Sequence, residues 1–572
     1  MGSELETPTE GTALHRRGFL VGAGAAGVGL AIGTSGTATA ATGPAARGSA
    51  RRIEEPMDLQ FDIVHQTRPF DLVAPRFVTL EDSFARARGY ERLTPAPEAH
   101  GGTVRVAGGQ LAVSGTDFHT LFRTSARQRA PYASVILDVA SFAGTGGAQD
   151  TVLAGLAKDA GDYVVAWYNH ATGTGGIDLA VDGAVQTLAT AESGLDAPLR
   201  IAFGLTSTTV VLLVDGGSGF QPLVKANLAG RLDLRQPAAL AAYHDTFGAR
   251  ASSGTIRLSA VKAGYFGETG LRDPHLVTYA DGMPYLKDGK AYFTFTQGGL
   301  AFFETAHWGV WTIDLASYRL EQVGNLFFQR DGQDTVLGDH AGHLVVDERN
   351  DRWILLNSTW GDFDGTEVHV NYRTLPLSRD VLHGVHVIRT RELALPVDQL
   401  PTAHVGQWDP CLVRIERRWY LAFVNASRFF VFFPALARTA AGADFTALTR
   451  LVGSDSGKVA TEGTILQKFG REWFLLASNG DDSPPEIQQQ YPVYDLRVHQ
   501  IGVLDAPHPT NIPWPMAFPV PLRDGRDRWL LVTFNGTQYA EPLLGYGTHG
   551  DVVVMQARPL TRPHQFPRHR PR

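Results

Sequence analysis

One phrase recurs four times in the second half of the chain: a carboxylate, a few apolar residues, a polar turn, then an aromatic-led apolar strand. The copies read DGMPYLKDGKAYFTFT from Asp281, DHAGHLVVDERNDRWILLNS from Asp339, DPCLVRIERRWYLAFV from Asp409 and EGTILQKFGREWFLLAS from Glu462. A fifth, MAFPVPLRDGRDRWLLVTF from Met516, keeps the turn and the aromatic strand without the leading acid. Starts about 50–70 residues apart are the spacing of a propeller with one repeat per blade. Strand-like segments between the copies, such as HWGVWTIDL, EVHVNYRTL and SRFFVFFPAL, bring each blade to four strands. The sequence therefore predicts a five-bladed β-propeller over residues 269–558. Each acid begins the first strand of its copy, so ring closure would gather the acids at one mouth of the central channel.

Upstream, residues 70–268 carry short alternating strands such as VRVAGGQLAVSG, ASVILDVASFAG, DYVVAWYNH and VVLLVDGG, separated by Gly, Asp and Thr turns. Such alternation is that of strands with one buried face, and predicts a β-sandwich of jelly-roll type. Its strand rhythm resembles concanavalin-like or laminin-G-like modules, which bind carbohydrate or pack against a catalytic domain. The whole is read as all-β. At the N-terminus, HRRGFLVGAGAAGVGLAIG with Arg16 and Arg17, followed by Ala-Thr-Ala at 38–40, has the form of a twin-arginine export signal. The expectation is a signal peptide at 1–40, an Ala/Gly/Arg-rich linker at 41–69, secretion from a bacterium, and no membrane span after cleavage. A Pro/Arg-rich tail is expected at 559–572.

Charge narrows the partners. Lys and Arg number 51 against 58 Asp and Glu, a net charge of -7, which gives no electrostatic footprint for nucleic acid. A neutral or polar substrate fits better. The single cysteine, Cys411, excludes an internal disulfide and any cysteine-rich metal site, and its apolar strand suggests a buried thiol. No third ligand stands near His340 and His343 in sequence, which argues against a catalytic zinc.

The phrases WDPCLVRIERRWYLAFV and TEGTILQKFGREWFLLAS resemble blade openings of glycoside hydrolase family 43 and its five-bladed relatives, the arabinanases, xylosidases and fructan hydrolases. The resemblance implies a general acid at Glu462, an Asp409 that tunes and orients it, and a general base in a neighbouring blade. Blade order gives that base to Asp339, beside His340 and His343; Asp281 is its rival, since it also lies two blades from Glu462. A like charge next to Glu462 would raise its pKa and keep it protonated near neutrality, as an acid catalyst needs. A base across the channel leaves room for a water, the inverting arrangement, and the same residue types closer together give the retaining one. Trp360, Trp408 and Trp514 are candidates to stack on sugar faces. Arg428 is a candidate contact for substrate hydroxyls, and His549 for a channel water or ion. No cofactor is required; a calcium ion in the channel is compatible with the resemblance. The expected activity is hydrolysis of a furanoside or pentose-containing polysaccharide of arabinan or fructan type. The rivals are a non-catalytic carbohydrate-binding propeller and a polysaccharide lyase; the latter wants a cationic pocket, against which the acidic blade starts argue.

Overall fold

The computed structural model describes residues 55–95, 100–125, 127–144, 149–537 and 550–559. The expected signal peptide, the tail beyond Pro559 and His549 lie outside the described residues. Among the described residues no helix is long and apolar enough to cross a membrane.

The chain is all-β, an N-terminal sandwich followed by a five-bladed propeller. The sandwich is organised by one long strand, His244–Glu268, which pairs with Asp71–Asp82, Gln110–Arg123, Tyr132–Ala143 and Thr151–Ala157. Alternate residues of these strands, among them Val113, Phe122, Leu137, Phe247 and Ile256, close a core of their own. Inside the sandwich Asp245 is fully buried, accepting from Thr79 Oγ1 at 2.6 Å and Gln128 Nε2 at 3.1 Å. Burial pushes its carboxyl up to about 6.

The propeller opens at Leu271–Leu276, which pairs antiparallel with Lys290–Gln297. The innermost strands of the next blades are His340–Asp347, Gly406–Ile415, Thr461–Phe469 and Met516–Pro521. In every blade the second strand is the aromatic segment of the repeat: Lys290–Gln297, Arg352–Ser358, Arg418–Arg428, Glu472–Asn479 and Asp527–Asn535. The hairpin turn between the first two strands is short in blades 2 to 5, and Trp353, Trp419, Phe474 and Trp529 are buried just beyond it. These hairpins are the local units on which the ring is built.

The ring closes through the two ends of the described chain. Leu59–Thr67, inside the segment expected to be a linker, is a strand that pairs with Asp551–Pro559 and becomes the outer strand of the last blade. The linker boundary at 69 is thereby corrected. Leu59 and Phe61 carry the apolar signal for this strand: both are buried in the core shared with Phe518, Leu531 and Val553. The outer strands of blades 1 and 2 pair in parallel, Leu320–Arg330 with Gly384–Glu392. The sandwich packs on this pair, where the Tyr132 ring lies 4.9 Å from Phe327 and its hydroxyl donates to the Ala306 carbonyl.

Candidate functional site

The innermost strands of blades 1 to 4 share one irregularity. Pairing with the second strand slips between Arg272 and His275, His340 and His343, Trp408 and Cys411, and Glu462 and Ile465. At each slip one residue has positive φ: Asp273 at 50°, Ala341 at 52°, Asp409 at 54° and Gly463 at 70°. Such a bulge re-aims the side chains on either side of it. The four strands can be superposed residue by residue on this bulge. Arg272, His340, Trp408 and Glu462 occupy one level; Asp273, Ala341, Asp409 and Gly463 the next; His275, His343, Cys411 and Ile465 a third.

The bulge gathers three carboxyls and one guanidinium. Asp409 is buried; its Oδ2 accepts from Gly463 N–H at 3.0 Å, its own N–H donates to Ser358 Oγ at 3.1 Å, and its carbonyl accepts from Thr464 Oγ1 at 2.7 Å. Glu462 keeps part of its surface exposed and accepts from the Trp408 indole N–H at 3.1 Å. Asp273 is buried, with Arg272 Nη2 4.0 Å from its Oδ1. A side chain on Gly463 would run into Trp514, whose ring lies 2.6 Å from the place of a Cβ, so only glycine lets this N–H reach Asp409.

Electrostatics follows from that crowding. Burial pushes Glu462 up to about 7, with the Asp273 charge adding to the rise, while the Trp408 bond and Arg272 pull it down. Asp409 is raised well above the carboxylate range, first by burial and then by Glu462 and Asp273. Carboxyls that act on one another in this way titrate as a pair and not one by one. Arg272 is itself lowered by burial, while Asp273, Glu462 and Asp409 together favour its charge.

Asp273 and Arg272 are the site residues that the repeat reading missed. The signal was in the sequence: Arg272-Asp273-Pro274-His275-Leu276 matches Trp408-Asp409-Pro410-Cys411-Leu412 in its Asp-Pro step and its leucine. Asp281 lies instead in an exposed turn, accepting from Met283 N–H at 3.1 Å, and does not open the first strand of its blade. Asp339 precedes the blade 2 strand and is buried in a clasp with Arg330, which donates to Oδ2 at 2.9 Å and Oδ1 at 2.6 Å while its Nη1 meets Asp362 at 2.7 Å. Gly361 N–H adds a third bond to the Asp339 carboxylate. The bulge position of blade 2 is Ala341, so no acid comes from that strand's bulge.

The remaining candidates scatter. Trp408 touches Glu462; Trp360 packs on it at 5.2 Å between ring centres and joins Phe303 and Phe363 in an aromatic cluster reaching exposed Phe430. Trp514 is buried against Gly463 and the edge of His275. Arg428 is exposed at a strand end, and His340 is buried with Nδ1 against the Gly338 carbonyl. His343 is buried in the channel with His275 and Cys411. His340 stands apart from this group, whose other two members come from neighbouring blades. Calcium takes oxygen ligands, so two imidazoles and a thiol do not fit it.

No family model matches the sequence, and no curated protein matches it. Solved structures with similar folds include a levansucrase from Bacillus subtilis, 11% identical over 48% of this chain and 82% of that one, with a TM-score of 0.35. An α-L-arabinanase from Penicillium chrysogenum is 12% identical over 63% of this chain and 91% of its own, with a TM-score of 0.29. The carbohydrate-binding module CBM66 from Bacillus subtilis covers 30% of this chain and 94% of its own at 13% identity and a TM-score of 0.23. The likeness is one of fold.

Proposed function

We propose that this protein is a glycoside hydrolase acting on a furanoside or pentose-containing polysaccharide. The observation that carries the reading is Glu462: a carboxyl raised to about 7, partly open to solvent, held by the Trp408 indole and within reach of the Asp273 charge. A carboxyl with that affinity can carry a proton near neutrality and release it as an alkoxide leaves. Glu462 donates this proton to the glycosidic oxygen as the bond from that oxygen to the anomeric carbon breaks. Asp273, which belongs to blade 1 and so lies two blades from Glu462 around the ring, takes a proton from the water whose oxygen bonds to that carbon. Asp409, fixed by the Gly463 N–H, holds the acid in place, while the Asp273 charge adds to the rise that burial gives Glu462. Arg272 offsets repulsion among the three carboxyls.

Asp273 takes the part expected of Asp339 or Asp281 because both Asp339 oxygens are engaged by Arg330 and Asp281 stands in an exposed turn. Secretion through the twin-arginine route belongs to the same proposal and would bring the enzyme to polymeric substrate. The test is reducing-sugar release from arabinans, xylans, fructans and galactans by native protein and by Glu462→Gln. Release that collapses in the variant supports the reading. Equal release by both overturns Glu462 as the acid, and glycan binding without release from any polymer replaces hydrolysis by recognition.

A further inference from the structure

The level of the channel next to the carboxyls holds a different chemistry. His275, His343 and Cys411, from three consecutive inner strands, place one donor atom each within 4.8 Å of one another. All three side chains are buried, and the two imidazoles stack with centres 3.9 Å apart. Among the described residues no carboxylate joins the cluster.

Hydrogen bonds fix which atoms carry lone pairs. His275 Nδ1 lies 3.2 Å from the Leu276 carbonyl, an acceptor only, so this nitrogen carries the proton and Nε2 the lone pair. That buried Nε2 has no partner. His343 Nδ1 accepts from Leu412 N–H at 3.1 Å, which leaves Nε2 to donate to Thr278 Oγ1 at 2.9 Å. Both rings are therefore neutral, the form that ligates metals. Cys411 Sγ accepts from Leu466 N–H at 3.2 Å, a contact that a thiolate strengthens. A ring N–H held by an oxygen and a sulfur held by an N–H are the supports that orient metal ligands.

We propose that His275, His343 and Cys411 bind copper(I). Thiolate and imidazole donors suit copper(I) and zinc, and zinc held by three protein ligands would need a water as its fourth in this buried place. Charge decides in the same direction. Copper(I) with one thiolate and two neutral imidazoles is a neutral unit, whereas a divalent ion would leave net charge in a buried site. On binding, the Cys411 S–H bond gives way to a sulfur–copper bond and the proton leaves to solvent, with no change of oxidation state. The ion replaces the Leu412 bond at His343 Nδ1 and takes the free lone pair of His275. It would tie the inner strands of blades 1, 2 and 3 together.

Cys411 is the only cysteine, so any copper–sulfur(thiolate) signal reports on it alone. The test uses the full chain, freed of metal and kept in ascorbate, titrated with copper against a chromophoric copper(I) chelator. The native protein should withdraw one equivalent per chain and the Cys411→Ala variant none. X-ray absorption of the native complex should show one sulfur and two nitrogen neighbours, a readout that stands even if the variant does not fold. No withdrawal by native protein, equal withdrawal by the variant, or a copper shell without sulfur would overturn the proposal. So would uptake of one zinc per chain, measured with a zinc chelator, in place of copper.

Discussion

Replacing Trp408 by Phe removes one hydrogen bond from Glu462 and leaves an aromatic ring in the same slot. The indole N–H donates to Glu462 Oε2 at 3.1 Å, and this bond favours the charged carboxylate. A hydrogen bond to a charged group contributes about 1.5–3 kcal/mol, and a pKa unit corresponds to about 1.4 kcal/mol. Because Glu462 keeps some exposure, water recovers part of the loss, and a rise of about one unit follows. The sign is set by the acid role. Glu462 acts in its protonated form, so kcat/KM falls as pH rises through its pKa, and raising that pKa from about 7 carries the alkaline limb upward. The assay is kcat/KM against pH on the polymer that the native protein cleaves, measured for both proteins across the neutral and alkaline range. A limb that stays in place, or moves to lower pH, refutes the idea that this bond tunes the acid.

Three further outcomes test the framework around the site. Asp339→Asn breaks the buried clasp with Arg330 and should cost about 3 kcal/mol in denaturant unfolding, whereas a loss under about 1 kcal/mol would mean that Asp362 alone satisfies the guanidinium. Phe61→Ala empties a buried ring from the closing blade and should cost about 3–5 kcal/mol; a neutral result would show that the N-terminal strand does not hold the ring shut. Asp245 has its folded pKa raised to about 6, so the folded state binds its proton more tightly than the unfolded chain does. Its contribution is complete below about pH 4 and falls as pH rises toward 6, by up to about 3 kcal/mol. Asp245→Asn should lose that slope from its own stability profile, so that the native-minus-variant difference carries it, and a slope unchanged in the variant would place the titrating group elsewhere.

The repeat was legible because a blade hairpin is local: a polar turn and a buried aromatic just beyond it sit within a few residues, as in Glu416-Arg417-Arg418-Trp419. Blade 1 hid its first strand for the converse reason. Residues 277–289 separate Leu271–Leu276 from Lys290–Gln297, so the acid at the ordinary distance before the aromatic strand is Asp281 rather than Asp273. Asp339 misled in the same way, standing just ahead of its strand while the bulge position is Ala341. Ring closure was out of reach of any local pattern, since Leu59 pairs with Pro559 at the opposite end of the chain. The carboxyls of Asp409 and Glu462 stood out because each lies in the first half of an inner strand with an intact short hairpin after it. The channel cluster was invisible because His275, His343 and Cys411 meet only once three blades stand side by side.

In the proposed mechanism the base that works with Glu462 is Asp273, and neither Asp281 nor Asp339. That assignment is tested most directly by Asp273→Ala assayed with and without azide, a small nucleophile that can stand where a base-activated water would. A base contributes about 10²–10⁴ in rate, so the variant should lose at least about a hundredfold in kcat and recover release when azide is added, yielding a glycosyl azide. Activity that survives in Asp273→Ala without azide, while Asp281→Asn abolishes it in a protein that remains folded, would contradict the account.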